Sequence, residues 1–366
     1  TTELADALHR LGWFLWRRGR EPEAEPMLRR AIDIADHVDA GLVRAESTQT
    51  LAVCVMSIDR PGEAQLLMEE AFRLAKEAGD NTNLMRAYNN IATTRLQTQG
   101  PVSTAEVLRE GLELALRSGT IANGGWIAGS LGDAEQLLGR LEESEEHQRL
   151  AVDLARRVGD EPLIGQRLIT LATVVLMRGR TDEAVAYRDE AEPILAANPE
   201  PQGLMFVPQF DGYLGLARSD RAAAADRFAE AAEHIRAFSV DSYPELIAEC
   251  PRVFVLLGER DRAETYRDLE SSTDSIQSTA HARNIQGLLE RDPAKAAGTL
   301  RDAIARFNRL EMRVFAARAM VDLGRSMARA GDDPGDLLER ARAILIECDA
   351  RLFLFEVNEA LAGLDP

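Results

Sequence analysis

The chain has 366 residues, 45% of them hydrophobic, and carries 61 acidic against 43 basic side chains, a formal charge of -18 with an isoelectric point near 4.9. A field of that sign repels a phosphate backbone and an anionic membrane surface, which argues against direct nucleic-acid or membrane partners. No apolar run reaches the roughly 18 residues of a membrane span and no signal-peptide pattern opens the chain, while Cys54, Cys250 and Cys348 stand far apart without a CxxC pair, as suits a reducing, cytoplasmic compartment.

The dominant signal is a period. Ala24, Ala64, Thr104, Ser144, Ala184 and Ala224 stand 40 residues apart, each inside a similar amphipathic stretch, and Ala263 and Ala296 follow after 39 and 33. Gly19, Asp59, Gln99, Gly139, Gly179, Ser219 and Gly258 keep the same beat between the two predicted helices of each repeat, and Gly79, Gly119 and Gly159 close the second helix. A fixed period in this range predicts a solenoid of helical hairpins whose core is a continuous seam.

The first predicted hairpin runs from about Thr2 to Val38. Leu8, Leu11, Gly12 and Leu15 form one face of its first helix and Ala24, Leu28 and Ala31 one face of its second. The spacing resembles the tetratricopeptide pattern, W-x2-L-G-x2-Y followed by A-x3-F and a further small residue, with Leu in place of the aromatics. What the resemblance implies is an all-α, right-handed superhelix of about nine long hairpins with a capping helix at the C-terminal end.

The following hairpins keep the theme: Leu51, Ala52, Val55, Ala64, Met68 and Ala71; then Tyr88, Ile91, Ala92, Thr104, Leu108 and Gly111; then Leu131, Gly132, Ser144, Gln148 and Ala151; then Leu168, Leu171, Ala172, Val175, Ala184 and Ala191. The six residues beyond the ordinary 34 lengthen each helix by nearly one turn. Regular repeats are therefore expected over 1–197. Pro193, Pro199, Pro201 and Pro208, with Asn198 and Gly203, predict a break, Pro251 falls inside a predicted helix, and the polar run from Ser271 to Thr279 reads as a linker or frayed end, so 198–279 is expected to be irregular. Two more hairpins and a last helix from about Leu352 to Leu361 fill 280–366. The closing stretch resembles the ends of helical arrays in bacterial regulators of the LuxR and nucleotide-cyclase types that carry an ATPase switch.

Chemistry is sparse. Ala128-x-Ser130-x-Gly132 is similar to a nucleophile elbow, but an elbow needs a strand before the serine and here a repeat helix is predicted, so a serine hydrolase is the weaker reading. His9, His37, His147, His234 and His281 are dispersed without metal spacing. The run Glu142, Glu143, Glu145, Glu146 opens a helix, where carboxylates favour the dipole. No Walker-type GxxxxGK occurs. No catalytic residue, metal or cofactor is expected.

In tetratricopeptide arrays the first helices line a concave groove. Carrying those positions over by register nominates Trp13, Trp16, Gln49, Arg86, Asn89, Asn90, Trp126, Phe206, Gln209, Tyr213 and Arg252 as ligand-facing, a set that includes all three tryptophans of the chain. The competing reading is that the tryptophans pad the seam between helices. The carboxylate clamp of co-chaperone arrays needs lysines, and the two in this chain, Lys76 and Lys295, fall elsewhere. The expectation is a non-catalytic array that binds a peptide, a protein segment or a small inducer as the sensing part of a larger bacterial regulator; the alternative is a free-standing adaptor.

Overall fold

The computed structural model describes residues 1–58, 60–198, 205–238, 244–267 and 275–363. Among the described residues there are helices and turns and no strand. The helices follow one another as antiparallel hairpins: α1 (Thr2–Trp16) with α2 (Glu21–His37), α3 (Gly41–Ser57) with α4 (Pro61–Ala78), α5 (Asn81–Thr98) with α6 (Pro101–Ser118), α7 (Ile121–Leu138) with α8 (Leu141–Val158), and α9 (Glu161–Met177) with α10 (Thr181–Ala197). After these come α11 (Phe206–Ala217) with α12 (Arg221–Phe238), α13 (Pro244–Leu256) with the short α14 (Arg260–Glu264), α15 (Ile276–Leu289) with α16 (Pro293–Arg309), and α17 (Arg313–Ala330) with α18 (Gly335–Glu347). A 3-10 turn (Arg351–Phe353) and α19 (Leu354–Ala362) close the chain. The regular helices of 17–18 residues account for the six-residue excess over the ordinary repeat.

Each hairpin is set by small residues. Ala24, Ala64, Thr104, Ser144, Ala184, Ala224, Ala263 and Ala296 are all buried, so the second helix can lie close against the first. Ser144 adds a hydrogen bond, its Oγ donating to the Gly132 carbonyl at 2.7 Å. The turn between helices repeats as well. Arg20, Arg60, Arg140, Arg180 and Asp220 each donate a backbone N–H to a carbonyl five residues back, over distances of 2.8–3.1 Å. The residue before the donor sits in the left-handed region at Gly19, Gly139, Gly179 and Ser219, the geometry that ends a helix with its last carbonyls satisfied. Asp59 lies outside the described residues. In the third hairpin the left-handed residue is Gly100, one place after the position nominated by register.

The chain divides into two compact units. The first comprises Thr1–Leu96 and Glu106–Ile127. Its core joins Leu15, Ala24, Leu28, Leu51, Cys54, Val55 and Ala64. Gly12 is needed there because a Cβ would come within 2.6 Å of the Leu28 side chain. Leu11, expected on the same packed face, is 46% exposed with Leu4 and Phe14: α1 packs on α2 and α3 on one side only.

The second unit comprises Gln97–Ala105 and Ala128–Pro366. Two expectations change here. Pro193 does not end its helix: it lies on the exposed face of α10, which continues to Ala197. Pro251 falls inside a helix as expected, buried within α13. The polar run before residue 280 is helical from Ile276, with Ser275 as its N-cap; residues 271–274, like 199–204 with Pro199, Pro201 and Gly203, lie outside the described residues.

Nor does the closing segment merely cap an end. Gly100 lies against Leu310, Gly139 against Cys348 and Val314, and Gly179 against Arg351. Arg178 donates to Asp349 at 2.8 Å across 171 residues of sequence. The turn edge of three consecutive repeats is thus covered by the chain's own last hairpins. Glu145, read from sequence as one of several helix-opening carboxylates, is buried and paired with Arg149, Arg178 and Arg180.

Candidate functional site

The first unit encloses a hollow of about 740 Å³. Four helices build it, with Asp6, His9, Arg10, Trp13, Trp16 and Arg17 on α1, Glu46, Gln49, Thr50 and Val53 on α3, Met85, Arg86, Asn89 and Asn90 on α5, and Asn123, Trp126 and Ile127 on α7. The repeat explains this meeting. Residues 6, 46, 86 and 126 stand one period apart, as do 9, 49 and 89 and then 10, 50 and 90, so one face of each first helix turns to the same space.

The walls are aromatic. Trp13 is 41% exposed, with the Arg17 guanidinium 5.6 Å from its ring centroid. Trp16 is half-buried and donates its indole N–H to Ser57 Oγ at 3.3 Å. Trp126 is half-buried on the opposite wall. Trp13 presents its ring to solvent, whereas Trp16 also packs against the core of Leu15, Leu28 and Leu51.

Polar groups sit between the rings. Gln49 is only 3% exposed, yet its Nε2 has no hydrogen-bond partner among the described residues, and the Nδ1 of His9, 9% exposed, has none either. His9 Nε2 stands 4.0 Å from Glu46, whose other oxygen accepts from Asn83 Nδ2 at 2.9 Å. Burial lowers the imidazole's proton affinity against the opposing pull of Glu46 and Asp6. Arg10 is held by Asp6 at 2.8 Å. Arg86 is exposed and makes no hydrogen bond or ion pair among the described residues. A buried amide donor without an acceptor carries a free-energy cost of about 1–3 kcal/mol, and a ligand carbonyl or carboxylate would relieve it.

Of the eleven residues nominated from sequence, Trp13, Trp16, Gln49, Arg86, Asn89, Asn90 and Trp126 line this hollow. The other four belong to the second unit and do not. Gln209, Tyr213 and Arg252 are buried and Phe206 is half-buried. Tyr213 donates to Glu249 at 3.2 Å and lies edge-on to Phe353, 6.0 Å between ring centroids. Arg252 binds Asp322 and Glu356. The face that register assigns to a groove is there covered by the chain's C-terminal segment. Sequence reasoning missed His9, Asp6, Arg10, Glu46, Thr50 and Asn123, although stepping by 40 from Gln49, Arg86, Asn90 or Trp126 reaches the first five.

Ser130 lies inside α7, so the strand-turn-helix of a nucleophile elbow is not formed. Among the described residues no three His, Cys, Asp or Glu side chains are grouped to hold a metal, and no helix is long and apolar enough to cross a membrane.

Models of the tetratricopeptide repeat match residues 4–36 and 125–197, so the chain carries tetratricopeptide repeats in both units. No curated protein matches it in sequence. Among solved structures it is similar to a Rap protein complexed with competence and sporulation factor, at 10% identity, with a TM-score of 0.68 over 95% of this chain and 99% of the other. It is also similar to the Rap conjugation gene regulator of plasmid pLS20 in complex with a peptide, at 12% identity and TM-score 0.59 over 86% and 98% of the two chains. Aspartyl phosphate phosphatase F from Bacillus subtilis aligns at 13% identity and TM-score 0.51 over 96% and 94%. At these identities the likeness is one of fold.

Proposed function

We propose that the hollow of the first unit binds a peptide or extended protein segment, and that the chain acts as the sensing array of a cytoplasmic bacterial regulator rather than as an enzyme. The observation that carries the reading is the unpartnered Nε2 of the buried Gln49, set among Trp13, Trp16, Trp126 and the unpaired Arg86. An extended backbone offers carbonyls at the spacing of such amides, indoles supply large rigid contact area, and a guanidinium takes a carboxylate in two-pronged fashion. Two solved structures of similar fold are complexes, one with competence and sporulation factor and one with the Phr* peptide, which supports the same choice of ligand. Another carries a phosphatase name, and hydrolysis of acetyl phosphate by this chain would overturn the non-catalytic part of the reading.

The test is to select binders from a random heptapeptide display library on the whole chain. Selected peptides should lose affinity at least about tenfold against Trp126→Ala and against Arg86→Ala, with far-UV circular dichroism unchanged. Peptides that bind both variants as they bind the parent would place recognition elsewhere and sink the proposal.

A further inference from the structure

The second unit holds a separate hollow of about 280 Å³ between α13, α15, α16 and α17. Its walls are apolar: Val255 and Leu256 from α13, Leu288 from α15 and Leu300 from α16. Gly287 closes its floor, since a Cβ there would come within 2.6 Å of Leu300 and only glycine lets α15 and α16 meet.

One end is charged. Arg325 and Arg329 lie one turn apart on α17 and both line the hollow. The carboxylate in the lining, Asp322, is already committed: Arg252 holds both its oxygens, at 3.2 and 2.8 Å. Arg325 donates to the Glu356 carbonyl at 3.2 Å and stays 3.9 Å from Asp322. Arg329 is exposed and makes no hydrogen bond or ion pair among the described residues. A positive charge is therefore left over at the mouth of an apolar cavity, in a chain whose net charge is -18.

We propose that this hollow is a second ligand site, taking a small organic acid with an apolar body and a single negative charge. Its carboxylate lies on the guanidinium of Arg329, with Arg325 beside it, and its hydrocarbon rests on Val255, Leu256, Leu288 and Leu300. The size argues against a peptide, because 280 Å³ is at the lower edge of small-molecule sites and holds about ten non-hydrogen atoms at roughly 25–30 Å³ each. The charge argues against a dianion, because Arg252 and Arg325 already have acceptors.

Sodium octanoate is the probe, titrated into the intact chain by calorimetry and thermal shift, with octanamide as the neutral isostere and acetate as the head group alone. Octanoate should bind once per chain and raise the melting temperature, octanamide should bind at least about tenfold more weakly, and acetate should not register. Arg329→Gln should lower octanoate affinity to the octanamide level without changing the unliganded melting temperature, and Arg329→Lys should restore part of it. Trp126→Ala should leave octanoate binding intact. Absence of octanoate binding at millimolar concentration, equal binding of octanamide, or parental affinity in Arg329→Gln would each overturn the assignment.

Discussion

Arg252 grips Asp322 with two parallel hydrogen bonds, Nη1 to Oδ1 at 3.2 Å and Nη2 to Oδ2 at 2.8 Å, in side chains that are 6% and 0% exposed. Around them Arg318 pairs with Glu249 and Glu356, Tyr213 donates to Glu249, and the Phe353 ring lies under the Arg318 guanidinium at 4.0 Å. Burial alone would raise the proton affinity of Glu356, but Arg318 and Arg252 hold its carboxyl down to about 2. Removing Asp322 leaves the buried Arg252 only Glu356, which Arg318 already shares. Asp322→Ala should therefore lower the stability of the second unit by about 3–5 kcal/mol, read as a shift in urea midpoint. A midpoint within error of the parent would mean that water replaces the lost carboxylate.

His281 stands edge-on to two rings, 5.0 Å from Phe307 and 4.9 Å from Phe315 between centroids, and its Nε2 has no hydrogen-bond partner among the described residues. Burial, reinforced by the nearby Arg252 and Arg318, lowers its proton affinity to about 3. An unfolded imidazole titrates near 6.5. Below that pH the unfolded chain takes up a proton that the folded site refuses, so stability falls as pH drops from about 6.5 towards 3, by at most about 1.4 kcal/mol per unit. His281→Phe should flatten that slope relative to the parent. Identical slopes for the two proteins between pH 6 and 4 would show that the imidazole finds a proton inside the fold.

Two helix-interior glycines should respond in opposite directions to alanine. At Gly215 a Cβ would sit 2.9 Å from the Ala224 backbone nitrogen, which cannot yield as a side chain can, and overpacking of about 1–3 kcal/mol outweighs the gain in helix propensity. At Gly298 nothing lies within 4 Å, and the propensity gain of about 0.5–1 kcal/mol remains. Thermal denaturation of Gly215→Ala and Gly298→Ala should move the midpoint down and up respectively.

Gln49 separates stability from binding. Gln49→Met replaces an unpartnered buried amide by an apolar chain of similar length, and should stabilise the first unit by about 1–2 kcal/mol. The same change should weaken any peptide selected on the parent chain. A variant that gains stability and keeps its affinity would show that this amide does not contact the ligand.

The period made most of this legible in advance. Small residues at 24, 64, 104, 144, 184 and 224 predicted the hairpins and their tight seams, and the same arithmetic nominated seven residues that line one hollow. It misplaced Tyr213 and Arg252 for a physical reason. Register tells which face a residue occupies, but not what covers that face, and their cover is Phe353 and Glu356, more than 100 residues away in sequence. Pro193 was expected to break a helix that runs on to Ala197.

The closure of the second unit also governs when the protein can assemble. Among the described residues, a side-chain hydrogen bond of the first unit joins Trp16 to Ser57, 41 residues apart. One of the second spans 171, from Arg178 to Asp349. Contacts of short sequence separation form early and quickly, and those of long separation wait for loop closure. A ribosome can thus release the first hairpins to fold as they emerge, while Gly139, Gly179 and the charges around Arg318 stay uncovered until the segment from Glu347 to Glu356 has been made.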